Sequence, residues 1–77
     1  MTINVKYFGL IAEITACEKE TILFTKSNVS EFLELLYKKY PNLENKDFQV
    51  AQNQELVTQD SLITGNELAL LPPFAGG

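Results

Sequence analysis

Histidine is absent from this chain, and Cys17 is its single cysteine. Without histidine there is no usual general base, no usual partner to activate a nucleophile, and none of the commonest nitrogen ligand for metals. Neither a self-contained catalytic site nor a bound metal or cofactor is therefore expected. A lone cysteine can neither close an internal disulfide nor build a thiolate cluster, which points to a reducing, cytoplasmic setting. Basic residues are scarce as well: six against ten acidic ones leave a net charge of -4. Nucleic acid is a poor partner for such a surface. No apolar run approaches the roughly 20 residues that span a bilayer, and the polar positions within the first residues break up the continuous apolar stretch that a signal peptide needs. The reading is a protein with no membrane association, unprocessed at its start.

What is there suits one small domain. The 77 residues are 45% hydrophobic, and at this size folding hides roughly 60% of the chain's surface. We expect a single domain over 1–77, with 72–77 as an extended tail.

Ile3, Val5 and Tyr7 alternate with Asn4 and Lys6, the period-two pattern of a half-buried strand, so a strand is predicted from Thr2 to Phe8. Leu10, Ile11 and Ile14 then recur at near-helical spacing, predicting a short helical turn that ends near Cys17. The segment from Glu20 to Thr25 is β-branched and aromatic, a second strand antiparallel to the first. In S-N-V-S-E-F-L-E-L-L-Y-K-K-Y-P, Asn28 can cap a helix with Glu31 three positions on. Val29, Phe32, Leu33, Leu36 and Tyr40 form its apolar stripe, and Pro41 marks its stop. The polar stretch from Asn42 to Asp47 reads as a connection. Two short strands follow around a turn near Asn53, then a helical turn over Asp60 to Ile63, the turn dipeptide Gly65-Asn66, and a final strand that Pro72 and Pro73 terminate. One helix can cover one face of the four- or five-stranded mixed sheet this order implies, an α+β architecture.

The chain ends Pro72-Pro73-Phe74-Ala75-Gly76-Gly77. Two prolines stiffen the exit from the sheet, and two glycines leave the last carboxylate without a side chain to hinder its entry into a narrow channel. Chemistry at the Gly77 carboxylate is the functional reading of that pattern; a frayed terminus is the bland one. Phe8, Ala69 and Leu71 fall on the opposite strand face from Val5, Tyr7, Leu68 and Leu70, so the sheet is apolar on both sides with one long helix to cover it. The excess suggests a partner surface. Cys17 reads as a small packed hydrophobe rather than a sulfur carrier.

The stretch T-G-N-E-L-A-L-L-P-P-F-A-G-G, the opening I-N-V-K-Y-F-G-L-I-A-E-I, the helix after S-N-V-S-E and the segment V-A-Q-N-Q-E-L resemble the small subunit of molybdopterin synthase, a ubiquitin-like sulfur carrier. The resemblance covers nearly the whole chain, and the P-P-x-x-G-G ending is its most specific part. One departure is that Thr64-Gly65-Asn66 stands where the family usually has D-G-D. The resemblance implies a ubiquitin-like β-grasp fold with a flexible tail. It implies that a ubiquitin-activating-type enzyme adenylates Gly77 with ATP, and that a sulfurtransferase or cysteine desulfurase supplies sulfur for a C-terminal thiocarboxylate. That sulfur would pass to a cyclic pyranopterin precursor in the large synthase subunit, within a heterotetramer. Phe8, Leu71, Pro72, Pro73, Phe74, Ala75 and Gly76 are the residues expected to meet the partner, and this chain would be a donor subunit rather than an enzyme. Carriers for thiamine thiazole, cysteine or transfer-RNA thiolation, and ubiquitin-like protein modifiers, share the Gly-Gly ending and stay open as alternatives.

Overall fold

A computed structural model describes residues 2–25 and 28–73. Five strands and two helices follow in the order β1 (Thr2–Tyr7), α1 (Leu10–Thr15), β2 (Lys19–Leu23), α2 (Val29–Lys39), a 3₁₀ helix (Pro41–Asn45), β3 (Gln49–Gln52), β4 (Glu55–Val57) and β5 (Glu67–Leu71). The strands form one mixed sheet in the order β2-β1-β5-β3-β4. β1 and β5 run parallel at its centre, and the other neighbours are antiparallel.

Strand alternation sorts the two faces. Ile3, Val5 and Tyr7 of β1 and Leu68 and Leu70 of β5 are buried beneath α2, which contributes Val29, Phe32, Leu33 and Leu36 to the same core. The Phe24 and Phe32 rings meet edge-on, their centroids 5.1 Å apart. α2 starts where Asn28 predicts: its side-chain oxygen accepts the Glu31 amide at 3.0 Å, satisfying one of the first-turn N–H groups. Glu31 at its start and Lys38 and Lys39 at its end complement the helix dipole.

Two local expectations fail, each for a physical reason. Pro41 stops α2 but opens a 3₁₀ helix, because a proline needs no N–H donor in a first turn. That turn drives Leu43 to complete burial, so the polar stretch holds a core residue. The segment from Asp60 to Ile63 is not helical. It lies against the start of α2 instead: the Ser61 carbonyl accepts the Val29 amide at 2.9 Å, the Gln59 carbonyl accepts the Ser30 amide at 3.0 Å, and Leu62 bridges to Asn28. The free N–H groups of a helix start outcompete a local turn for those carbonyls.

Candidate functional site

Parallel pairing of β1 with β5 brings the C-terminal ends of both strands to one end of the sheet. The Phe8 amide donates to the Leu70 carbonyl at 3.2 Å, setting Phe8 beside Leu71 on the face that carries no helix. Phe8 is 43% exposed and Leu71 half-buried. Register extends the apolar surface sideways: Ala69 pairs with Ala51 of β3, and Ala51 with the exposed Leu56 of β4. Together they line a shallow depression of roughly 510 Å³ rimmed by Lys6, Glu67 and Gln54. Of the residues expected at the partner surface, Phe8, Leu71, Pro72 and Pro73 thus share one end of the molecule. Phe74, Ala75, Gly76 and Gly77 lie outside the described residues.

Pro72 leaves β5 over Gly9, which has a positive φ of 59° and stands so close that a Cβ there would lie 3.0 Å from Pro72 Cγ. Pro72 and the exposed Pro73 then border a second apolar notch with Leu10 and Ile11. The surface contributions of Ala51, Leu56 and Leu10 escaped sequence reasoning. For Ala51 and Leu56 the missing information was the pairing of β3 with β5, since a four-residue and a three-residue strand carry too little alternation to assign a face.

Polar groups flank the apolar depression. Lys6 and Lys19 are cross-strand partners on the helix-free face, and Lys6 pairs with Glu67 at 2.9 Å. At the opposite side of the sheet, the Glu20 carboxylate accepts from Tyr7 Oη at 2.5 Å, Tyr40 Oη at 2.7 Å and Lys39 Nζ at 2.7 Å. Burial alone would push the Glu20 carboxyl up. The hydrogen bonds from Lys39, Tyr40 and Tyr7, with the Lys39 charge, hold it below the usual carboxylate range. Burial and the same carboxylate push both tyrosine hydroxyls well above their usual range. This cluster ties β1 and β2 to the end of α2.

Cys17 is half-buried against the core, in keeping with a packing role. Thr64-Gly65-Asn66 is held without carboxylates: Gln52 Oε1 accepts the Thr64 and Gly65 amides at 2.9 and 3.3 Å, and its Nε2 donates to the Leu62 carbonyl at 3.2 Å. Among the described residues no helix is long and apolar enough to cross a membrane, and no group of three or more acidic or cysteine side chains could hold a metal ion.

A mixed five-stranded sheet holding one long helix, with a parallel central pair and a tail leaving the last strand, defines a ubiquitin-like β-grasp protein. The family model for the ThiS family matches residues 5–77, and the chain belongs to that family of ubiquitin-like sulfur carriers. Such carriers are generally non-catalytic, working with an activating enzyme and a partner subunit. Solved structures agree on the fold. A Pyrococcus furiosus protein provisionally described as molybdopterin converting factor, subunit 1, superposes with a TM-score of 0.86 at 20% identity, covering 95% of this chain and 98% of that one. SAMP1 from Haloferax volcanii superposes with a TM-score of 0.81 at 25% identity over 100% of both chains. Small archaeal modifier protein 1 from Methanosarcina acetivorans gives a TM-score of 0.74 at 21% identity, covering 99% of this chain and 96% of that one.

Proposed function

We propose that this chain is the sulfur-donor subunit of a molybdopterin synthase. The observation that carries the reading is the position of the tail: Pro72 and Pro73 leave β5 beside the apolar face bearing Phe8 and Leu71. A partner that covers that face lies where the chain leaves the sheet, next in sequence to the residues that end in the Gly77 carboxylate. The tail sequence P-P-F-A-G-G supports the same assignment.

The chemistry has an order imposed by the carboxylate. Resonance makes the Gly77 carboxylate resist nucleophiles, so the activating enzyme first joins it to AMP from ATP, releasing pyrophosphate. A persulfide sulfur then attacks the acyl carbon of the mixed anhydride, AMP leaves, and reduction of the resulting acyl disulfide by a second thiol frees the thiocarboxylate. Docked in the large subunit, the thiocarboxylate sulfur bonds to a carbon of the cyclic pyranopterin as a carbon–oxygen bond there breaks, and water cleaves the resulting thioester, leaving the sulfur on the pterin and restoring the Gly77 carboxylate. This chain supplies the reagent and the docking surface, and its partners supply the acid and base groups.

A second reading, a ubiquitin-like modifier joined through Gly77 to lysines of other proteins, draws support from the likeness to SAMP1 over the full length of both chains. Intact mass of the chain purified with its activating system separates the two. Replacement of one C-terminal oxygen by sulfur adds about 16 Da, and fragmentation is expected to locate it on Gly77. The added mass on Cys17 would overturn the tail assignment, and isopeptide-linked species with no thiocarboxylate would favour the modifier. Formation of dithiolene product with the large subunit distinguishes the synthase from carriers of other pathways.

A further inference from the structure

Where Pro72 leaves β5 it closes one wall of the apolar notch described above. Gly9 permits this: a Cβ there would lie 3.0 Å from Pro72 Cγ, so a side chain at that position would push the proline away. Ile11 is buried, and Leu10, in the first turn of α1, is 63% exposed. With Pro73, Lys46 and Asp47 these residues line a notch of about 360 Å³. It is smaller than the depression on the sheet face, and its apolar lining comes from leucine, isoleucine and proline side chains. The described residues end at Pro73, which is itself part of that lining. The sequence continues Phe74-Ala75-Gly76-Gly77, so the one large apolar side chain that follows is attached to the notch's own wall.

We propose that Phe74 seats its ring in this notch in the free carrier, against Leu10 and over Ile11. Covalent attachment favours it over other occupants, because a group tethered by so short a link meets its site at an effective concentration on the order of millimolar. The prolines reduce the entropy that seating costs. Ring closure fixes φ at Pro72 and Pro73, and Pro72, preceding a proline, is held extended. Little backbone freedom beyond Pro73 ψ and Phe74 φ then has to be lost for the ring to reach the notch. Ala75, Gly76 and Gly77 bring no side chain larger than a methyl to compete for it. Lys46, at the same notch, lays its aliphatic stem along the ring while its ammonium stays in water. Seating also sets the reach of the tail. The three residues beyond Phe74 span about 10 Å when fully extended, so a site that takes the Gly77 carboxylate farther than that from the notch has to draw the ring out. The contact is internal to this chain and does not depend on which partner receives the tail.

The test is solution NMR of the full-length chain as wild type, Phe74→Ala and Leu10→Asp, with thermal melts as the control for folding. Leu10 is exposed at a helix start, where an acidic residue suits the dipole, so Leu10→Asp is expected to keep the fold. In wild type, nuclear Overhauser contacts are expected between the Phe74 ring and the Leu10 methyls. The Phe74 amide order parameter is expected to be about 0.85, as in rigid backbone, and to fall below about 0.6 in Leu10→Asp. Phe74→Ala is expected to shift the Leu10 and Ile11 methyl resonances through loss of the ring current, and to leave those of Leu62, which is exposed but outside the notch, in place. None of these signals should change on dilution from about 1 mM to about 0.05 mM, because the contact lies within one molecule. Contacts that vanish on dilution would give the notch to the tail of a second copy and overturn the inference. A wild-type Phe74 amide order parameter below about 0.6, or Leu10 methyls unmoved by Phe74→Ala, would overturn it as well.

Discussion

Replacing Glu20 by glutamine keeps the side chain's shape and removes its charge, which isolates what the Tyr7–Glu20–Tyr40 cluster contributes. In the native fold Oε2 accepts from both tyrosine hydroxyls and Oε1 from Lys39. Lys39 is half exposed, its side chain retaining 50% of its accessible surface, so its ion pair is worth little and its ammonium can turn to water. The tyrosines differ. Tyr7 is only 2% exposed, and Tyr40 packs edge-on against it at 6.2 Å. The amide oxygen of glutamine can still accept from both, but each charge-assisted bond becomes a neutral one, a loss of about 1 kcal/mol apiece. The expected total is therefore about 2 kcal/mol. With an unfolding entropy of about 2.1 cal/mol/K per residue, a chain of this length loses about 6 °C per kcal/mol, so Glu20→Gln should melt roughly 12 °C lower.

The cluster also fixes a pH signature. A carboxyl held below its ordinary pKa of 4.5 stabilises the fold above that value, and the contribution is lost as pH falls through the folded-state pKa. The gap in stability between wild type and Glu20→Gln should accordingly narrow as pH drops from about 5 toward 3. At the alkaline end, tyrosine hydroxyls raised above their ordinary 10.0 stabilise the fold below pH 10, and that contribution falls away as pH rises further. Denaturant unfolding of wild type, Glu20→Gln, Tyr7→Phe and the double variant gives the coupling energy. About 1 kcal/mol is expected between the two sites; strict additivity, or a gap that does not narrow in acid, would refute this account of the cluster.

The remaining predictions are brief. Leu43→Ala should cost about 2 to 5 kcal/mol, because a fully buried side chain from the 3₁₀ helix leaves a cavity in the core; a melt within error of wild type would show that this turn is dispensable. Gln54 has a φ of 72° in the β3–β4 turn, so Gln54→Gly should raise stability by about 1 kcal/mol in denaturant titration. Cys17→Ser should preserve sulfur transfer in a reconstituted assay, and loss of transfer with an unchanged far-ultraviolet spectrum and melt would reassign the thiol.

The elements most legible in the sequence were those whose signals are local. Asn28, Glu31 and the stripe from Val29 to Leu36 declare α2 through capping and periodicity that a single helix satisfies alone. Leu43 was illegible because its burial depends on where Pro41 aims the chain, and the segment from Asp60 to Ile63 because its carbonyls serve a helix start some thirty residues earlier in the chain. The candidate site divides the same way. Alternation alone puts Phe8 opposite Val5 and Leu71 opposite Leu70, and the proline pair marks the exit of the tail. That these features belong together follows only from the parallel pairing of β1 with β5, in which Tyr7 stands opposite Leu70. Antiparallel pairing would have put Phe8 at one end of the sheet and Leu71 at the other, leaving the exit of β5 remote from Phe8. Parallel pairing requires a long crossover, and here most of the chain provides it, with α2 covering one face and the other left open. The topology that makes the fold possible is thus what brings the helix-free apolar face and the exit of β5 to one end of the sheet.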